Sequence, residues 1–231
     1  ALLERLDRLG PAKAQIRSND LAHRIAEEPA DPTPYELTDG LLDPRRVIDE
    51  LDQVLPKDFD VISGSGHQSY FHSTMRGWEP GKYHIMRDFG AIGNGIAYAL
   101  GVAAARGNGK VLLFEGDGSL IMHIQEFETI KREGLKLLIC LMNDGAYGSE
   151  IHKLRQEGLD DSPAIFGRPD FASIARSFGL KGETVTELGH FKALVEDYVD
   201  GSDAMVLDIH ISDQVVSPRM RKTVNLGHGV M

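Results

Sequence analysis

The sequence predicts a doubly wound α/β domain, a mostly parallel sheet with helices on both faces. Three observations carry this. Short, largely apolar runs at Phe59–Ile62, Val111–Phe114, Leu135–Met142 and Ala204–Ile211 read as strands buried on both faces. The segments between them space their apolar residues three and four apart, as helices with one greasy face do. Two of the runs break off in acidic glycine turns, Gly116-Asp117-Gly118-Ser119 and Asn143-Asp144-Gly145.

Composition narrows the class of protein. The chain has 231 residues, 42% apolar and 26% charged, as ordinary globular proteins do. A net charge of −10 argues against a nucleic-acid partner, which would demand clustered Lys and Arg. No apolar run approaches the roughly 20 residues of a membrane span. The single Cys140 falls in an expected buried strand and reads as an inert core thiol, suited to a reducing cytoplasm.

Residues 1–40 read as the remnant of a preceding domain plus a linker. Leu2, Leu3, Leu6 and Leu9 form a stripe that Gly10-Pro11 ends, and a lone helix cannot bury it. Pro29, Pro32 and Pro34 mark the linker. The domain proper is expected over 41–211. It opens at Asp43-Pro44, N-cap and first helical position, with Val47, Ile48, Leu51, Val54 and Leu55 turned inward. The strand Phe59–Ile62 then ends in Ser63-Gly64-Ser65-Gly66-His67-Gln68.

Gly90, Gly93 and Gly95 make a flexible turn ahead of a small-residue helix, Ile96–Ala105. After Val111–Phe114, a helix is expected over Leu120–Arg132 with Ile121, Ile124, Phe127 and Ile130 on one face. A short helix follows at Ser149–Gln156, either walling a site or merely solvated. Asp170 caps a helix through Phe178 that Gly179 stops, and Leu188–Val199 is another. Residues 212–231 are expected to be a C-terminal tail, mobile or folded over the site as a lid.

The chemistry sits in the two acidic turns. A right-handed crossover between parallel strands puts both carboxyl ends on one edge, so Asp117 and Asp144 should be neighbours where open α/β sheets bind ligands. Two adjoining carboxylates need a cation or a proton between them. Oxygen-only ligands suit Mg²⁺ or Ca²⁺, and Mg²⁺ completes its shell with water and substrate phosphates. The glycines admit a phosphate to the backbone, and a helix starts after Ser119. A Mg²⁺-bridged diphosphate is the reading. The plainer alternative is two loop-capping aspartates, since Gly-Asp-Gly alone is a weak turn motif.

Gly116-Asp117-Gly118-Ser119, the helix after it and Asn143-Asp144-Gly145-Ala146-Tyr147-Gly148 together resemble the thiamine-diphosphate motif of the acetolactate synthase, pyruvate oxidase and 2-oxoacid decarboxylase group. The resemblance covers residues 43–210, the carboxy-terminal part of such enzymes. It implies Mg²⁺ bound by the side chains of Asp117 and Asp144 and the Ala146 carbonyl. It implies diphosphate contacts from Gly118 and Ser119 within a cofactor site that includes Gly116, Tyr147 and Gly148. Gly64, His67 and Gln68 resemble the turn that faces the phosphates and the substrate cavity. Gly90-Ala91-Ile92-Gly93 resembles the turn beneath the cofactor, where Ile92 would prop its bent shape and the Gly90 carbonyl would accept from the aminopyrimidine. The group more often has Asn where this chain has Asp144, so metal affinity and its pH dependence should differ.

The implied activity is decarboxylation of a 2-oxoacid with transfer of a two-carbon unit. The resemblance also implies an activating Glu on a separate pyrimidine-binding domain, usually supplied by a partner subunit. The chain is therefore expected to be a fragment or half of a split enzyme, part of a homo-oligomer and inactive alone. Two readings compete. Gly64-x-Gly66-x-x-Ser69 with Asp88 beyond it imitates a dinucleotide fingerprint, without its third glycine. A structural or regulatory domain that keeps the fold without the chemistry is the other.

Overall fold

A computed structural model describes residues 18–221. They fall into two units, one ending at Pro34 and the other starting at Tyr35. The first holds helix α1, Asn19–Glu27, which the sequence reading did not include. Its N-cap is Ser18, whose hydroxyl accepts from the Leu21 N–H at 3.0 Å, and none of its residues is buried. The leucine stripe ahead of it lies outside the described residues.

The second unit contains six strands: β1 Asp60–Ser63, β2 Tyr83–Ile85, β3 Val111–Gly116, β4 Leu138–Asn143, β5 Lys181–Val185 and β6 Met205–His210. They form one sheet in the order β2-β1-β3-β4-β6-β5, and every pairing is parallel. Its helices are α2 Pro44–Val54, α3 Gly95–Arg106, the single turn α4 Asp117–Leu120, α5 Glu126–Arg132, α6 Gly148–Gln156, α7 Phe171–Ser177 and α8 Phe191–Asp200.

Alternation along the strands feeds two cores. Leu112, Phe114, Leu138, Cys140 and Leu207 face α2 and α8, meeting Val47, Ile48, Leu51, Phe191, Val195 and Tyr198. Val111, Leu113, Ile139, Leu141 and Val206 face the opposite way, onto Ile96, Ala99, Phe127, Ile130, Phe171 and Ala175 of α3, α5 and α7. Each Val, Leu, Ile or Phe among them contributes about 1.5–3 kcal/mol by leaving water. The doubly wound parallel architecture is thus the one expected from uninterrupted apolar runs.

Three elements differ from expectation. The helix over Leu120–Arg132 is broken: α4 passes through a 3₁₀ turn, Ile121–His123, before α5 begins. That turn shifts the apolar stripe, so Leu120, Phe127 and Ile130 are buried while Ile121 and Met122 reach solvent. Strands β2 and β5 were unforeseen because both are edge strands of mixed polarity. In β5 only Gly182 and Val185 are buried, and a Cβ at Gly182 would overlap the Ala172 carbonyl of α7.

The described part of the expected tail is packed. Val215, Ser217 and Met220 are buried, and Arg155 of α6 holds Asp213 in an ion pair at 2.6 Å.

Strand order places the site. β1 leads outward to β2 while β3 leads the other way to β4, so their carboxyl ends part at a switch point where such sheets bind ligands.

Candidate functional site

The carboxyl edge holds a cavity of about 250 Å³. Three turns build most of its wall: the one after β1, the one after β3 and the one after β4. Of the residues singled out from sequence, His67, Gln68, Gly90, Ile92, Gly116, Asp117, Gly118, Ser119, Asp144, Ala146, Tyr147 and Gly148 all line it. Gly64 does not. It lies behind the wall against the Glu115 carboxylate, which would overlap any Cβ placed there.

Asp117, at the end of β3, is buried, and its Oδ2 accepts the Gly145 N–H at 2.7 Å. Asp144, after β4, accepts the Ala146 N–H at 3.2 Å. Burial pushes the Asp117 carboxyl up to about 7. Burial and then the Asp117 charge push Asp144 well above the usual carboxylate range. The pair therefore demands a proton or a cation. Among the described residues no group of three or more His, Cys, Asp or Glu side chains could hold a metal. Two carboxylates, a backbone carbonyl and outside oxygens is the donor set a hard Mg²⁺ ion takes.

The glycines leave room that a side chain would close. A Cβ at Gly118 would come 2.7 Å from the Tyr147 ring, and one at Gly148 would overlap the Asp144 carboxylate. Behind the β4 turn, one guanidinium nitrogen of Arg168 donates to the Asp144 carbonyl at 2.9 Å and the Ile211 carbonyl at 3.0 Å, tying the loop to β6. Ser119 Oγ accepts the Gly93 N–H at 2.7 Å and so fixes the turn that carries Ile92.

The β1 turn presents His67 and Gln68. His67 is buried; its Nε2 accepts the Ser217 N–H at 3.0 Å, and its ring lies 4.4 Å from that of His152. Burial, with the neighbouring His152, holds it well below the usual imidazole range, so it is neutral at pH 7. Gln68 Nε2 donates to the Gly64 carbonyl at 3.1 Å, which leaves its buried Oε1 without a partner. Beneath this turn, Ser63 Oγ meets His72 Nε2 at 3.0 Å and His72 Nδ1 meets the Tyr83 hydroxyl, a closed network that braces β1 against β2.

Sequence reasoning left α6 open between a wall of the site and a solvated helix, and it missed Arg87. Glu150 and Lys153 of α6 line the cavity and pair at 2.9 Å, so this helix walls the site. Arg87, two residues past β2, lines it too. Its signal was hidden because β2 was not recognised as a strand. Phe89 nearby has φ 58°, rare for a residue with a side chain, and is fully exposed.

A wholly parallel sheet with a glycine-lined acidic cavity at its carboxyl edge defines a ligand-binding α/β domain of the doubly wound class. Comparison with known proteins gives the family. The model described as thiamine pyrophosphate enzyme, C-terminal TPP binding domain, matches residues 64–209, and the chain belongs to that family. It thus carries a thiamine-diphosphate-binding domain of the C-terminal type.

It is 31% identical over 179 residues to a Mycobacterium tuberculosis H37Rv protein that carries the provisional name of an acetolactate synthase large subunit. The match covers 76% of this chain and 32% of that protein. It is 26% identical over 170 residues to the acetolactate synthase isozyme 2 large subunit of Escherichia coli K12, covering 72% and 31%. The solved thiamine diphosphate-dependent 4-hydroxybenzoylformate decarboxylase of Rhodococcus jostii RHA1 shares the fold, with a TM-score of 0.69 at 20% identity over 79% of this chain and 35% of that one. The chain thus spans about a third of the length of these relatives.

Proposed function

We propose that this chain is the diphosphate- and Mg²⁺-holding half of a thiamine-diphosphate-dependent enzyme that decarboxylates a 2-oxoacid and transfers the two-carbon unit, as acetolactate synthases do. The observation that carries the reading is the Asp117–Asp144 pair, two adjoining carboxyls both raised by burial, Asp144 also by the Asp117 charge, at the mouth of glycine turns. The residues present fit the cofactor. Asp117, Asp144 and the Ala146 carbonyl would hold Mg²⁺. Gly116, Gly118, Ser119, Tyr147 and Gly148 would border the diphosphate, with His67 and Gln68 across the cavity.

The chain's own groups have definable tasks. The Gln68 Oε1, buried without a partner, is free to accept a hydrogen bond. Neutral His67, its Nε2 already occupied by Ser217, orients without carrying charge. Ile92 and the Gly90 carbonyl would shape and anchor the organic end of the cofactor. When bound, thiamine diphosphate supplies an electron sink for the carbon–carbon cleavage.

The activating Glu would come from a pyrimidine-binding domain elsewhere in the protein or on a second copy. A homo-oligomer and a cytoplasmic setting, consistent with the buried free Cys140, complete the reading, with the domain at 41–211 and residues 1–40 and 212–231 as flanking segments. The dinucleotide alternative is not favoured, because Gly64 packs on Glu115 rather than facing the cavity. Calorimetric titration of thiamine diphosphate with and without Mg²⁺ tests the proposal. Tight binding that requires the metal supports it, and preferential binding of a nicotinamide dinucleotide refutes it.

A further inference from the structure

Resting on the 2-oxoacid reading above, we infer that Arg87 is the residue that takes the substrate carboxylate. Two cationic side chains line the cavity, Arg87 and Lys153. Lys153 is neutralised by Glu150 at 2.9 Å. Arg87 has no carboxylate within ion-pair distance among the described residues. Its contacts are two and both are neutral: one terminal nitrogen donates to Ser69 Oγ at 2.6 Å, and the guanidinium lies 4.6 Å from the centre of the Tyr70 ring.

A guanidinium offers five donors. Here the Ser69 bond and the aromatic face set its orientation and leave the other donors for a planar anion, which it can bind two-pronged. Holding the side chain in advance also reduces the ordering entropy that binding would otherwise cost.

Position separates this anion from the diphosphate. The acidic pair sits at the ends of β3 and β4, whereas Arg87 follows β2, two strands beyond β3 in the sheet. Strand spacing puts β2 about 10 Å from β3. Arg87 therefore stands toward the β2 side of the cavity, against Ser69 and Tyr70. A ligand anchored by its phosphates at Asp117 and Asp144 would present its reacting end there, and the carboxylate of an incoming 2-oxoacid would meet an unpaired cation.

The test uses the chain loaded with thiamine diphosphate and Mg²⁺, titrated with pyruvate and with benzoylformate, each beside its amide. Binding is followed through the Arg87 Nε–H resonance and by calorimetry, for wild type, R87K and R87Q. The expected result is that the acids shift the resonance and their amides do not. R87Q should weaken acid binding tenfold or more, and R87K by less, while cofactor affinity changes less than threefold. R87Q binding the acids as wild type does, or wild type failing to bind them at all, would overturn the assignment. A parallel tenfold loss of thiamine diphosphate affinity in R87Q would also overturn it, assigning Arg87 to a cofactor phosphate. Failure of wild type to bind the cofactor would strike the underlying functional reading instead, and is visible before any acid is added.

Discussion

Asp117, at the end of β3, accepts the N–H of Gly145, in the turn after β4, at 2.7 Å. One carboxylate oxygen thus fixes the neighbouring turn and leaves the other to face Asp144 and the cavity. Asp117→Asn keeps an acceptor for Gly145 but removes half the acidic pair. Mg²⁺-dependent affinity for thiamine diphosphate should fall at least 100-fold. Without metal, the melting temperature should match or exceed wild type, because the Asp144 charge loses its repulsive neighbour. Unchanged cofactor affinity in calorimetry would remove Asp117 from the metal site.

Gly148 tests Asp144, the proposed second ligand, without replacing it. Its Cβ would overlap the Asp144 carboxylate, and its backbone lies outside the positive-φ region. Gly148→Ala should therefore cost about 1–3 kcal/mol of stability while weakening Mg²⁺ binding and lowering cofactor affinity tenfold or more. Gly118→Ala meets the movable Tyr147 ring instead, so its effect should be smaller. The reverse order of the two variants in a Mg²⁺ titration would contradict the geometry.

Glu115 predicts a pH dependence. Its carboxylate is buried, its Oε2 has no partner, and burial pushes it up to about 7 from 4.5. Between those values the folded chain holds a proton that the unfolded chain has released. Stability therefore falls as pH rises from about 4.5 to 7, and the full penalty persists above that. Glu115→Gln lacks this titration. Urea unfolding of the metal-free proteins should show the variant gaining stability over wild type at pH 8, with a smaller gain at pH 5. An equal difference at both values would show that Glu115 is ionised throughout.

Much of this was legible in sequence. The central strands β1, β3, β4 and β6 announce themselves because burial on both faces requires unbroken apolar runs. The acidic pair was legible because parallel crossovers place strand ends on one edge, whatever the distance in sequence. Edge strands β2 and β5 were not, since one exposed side tolerates Tyr83, His84 and Glu183. With β2 unseen, Arg87 had no place in the site. Glu115 was legible as a neighbour of the metal turn but not as the group that holds Gly64 and Gly95 close; strand alternation sends its side chain behind the cavity wall.

Ile92 lines the cavity beside Gly90, in the turn fixed by the Ser119–Gly93 hydrogen bond. In the complete enzyme, Ile92→Ala should lower kcat by tenfold or more and change cofactor affinity less than threefold. Shape at the organic end would be lost while the phosphate and metal contacts remain. Normal turnover in the variant would reduce Ile92 to a wall residue.

The chain alone should not turn over a 2-oxoacid. The family resemblance implies an acid placed at the pyrimidine end of the cofactor to activate it, and the acids of this cavity are engaged elsewhere. Asp117 and Asp144 would share the proposed metal position. Glu150 is held by Lys153 at 2.9 Å. Glu115 is turned away, enclosed by Gly64 and Gly95, whose missing side chains make the space it fills. The match to this chain covers only about a third of the acetolactate synthase relatives. Exposed Ile85, Phe89, Tyr98, Ile121 and Met122 offer apolar surface for another domain to cover. Purified chain supplied with thiamine diphosphate, Mg²⁺ and pyruvate should release no carbon dioxide above the protein-free rate while still binding the cofactor. Clear turnover would place the activating acid within these 231 residues, with Glu115 the first to replace by Gln, because a modest shift of Gly64 would open it to the cavity.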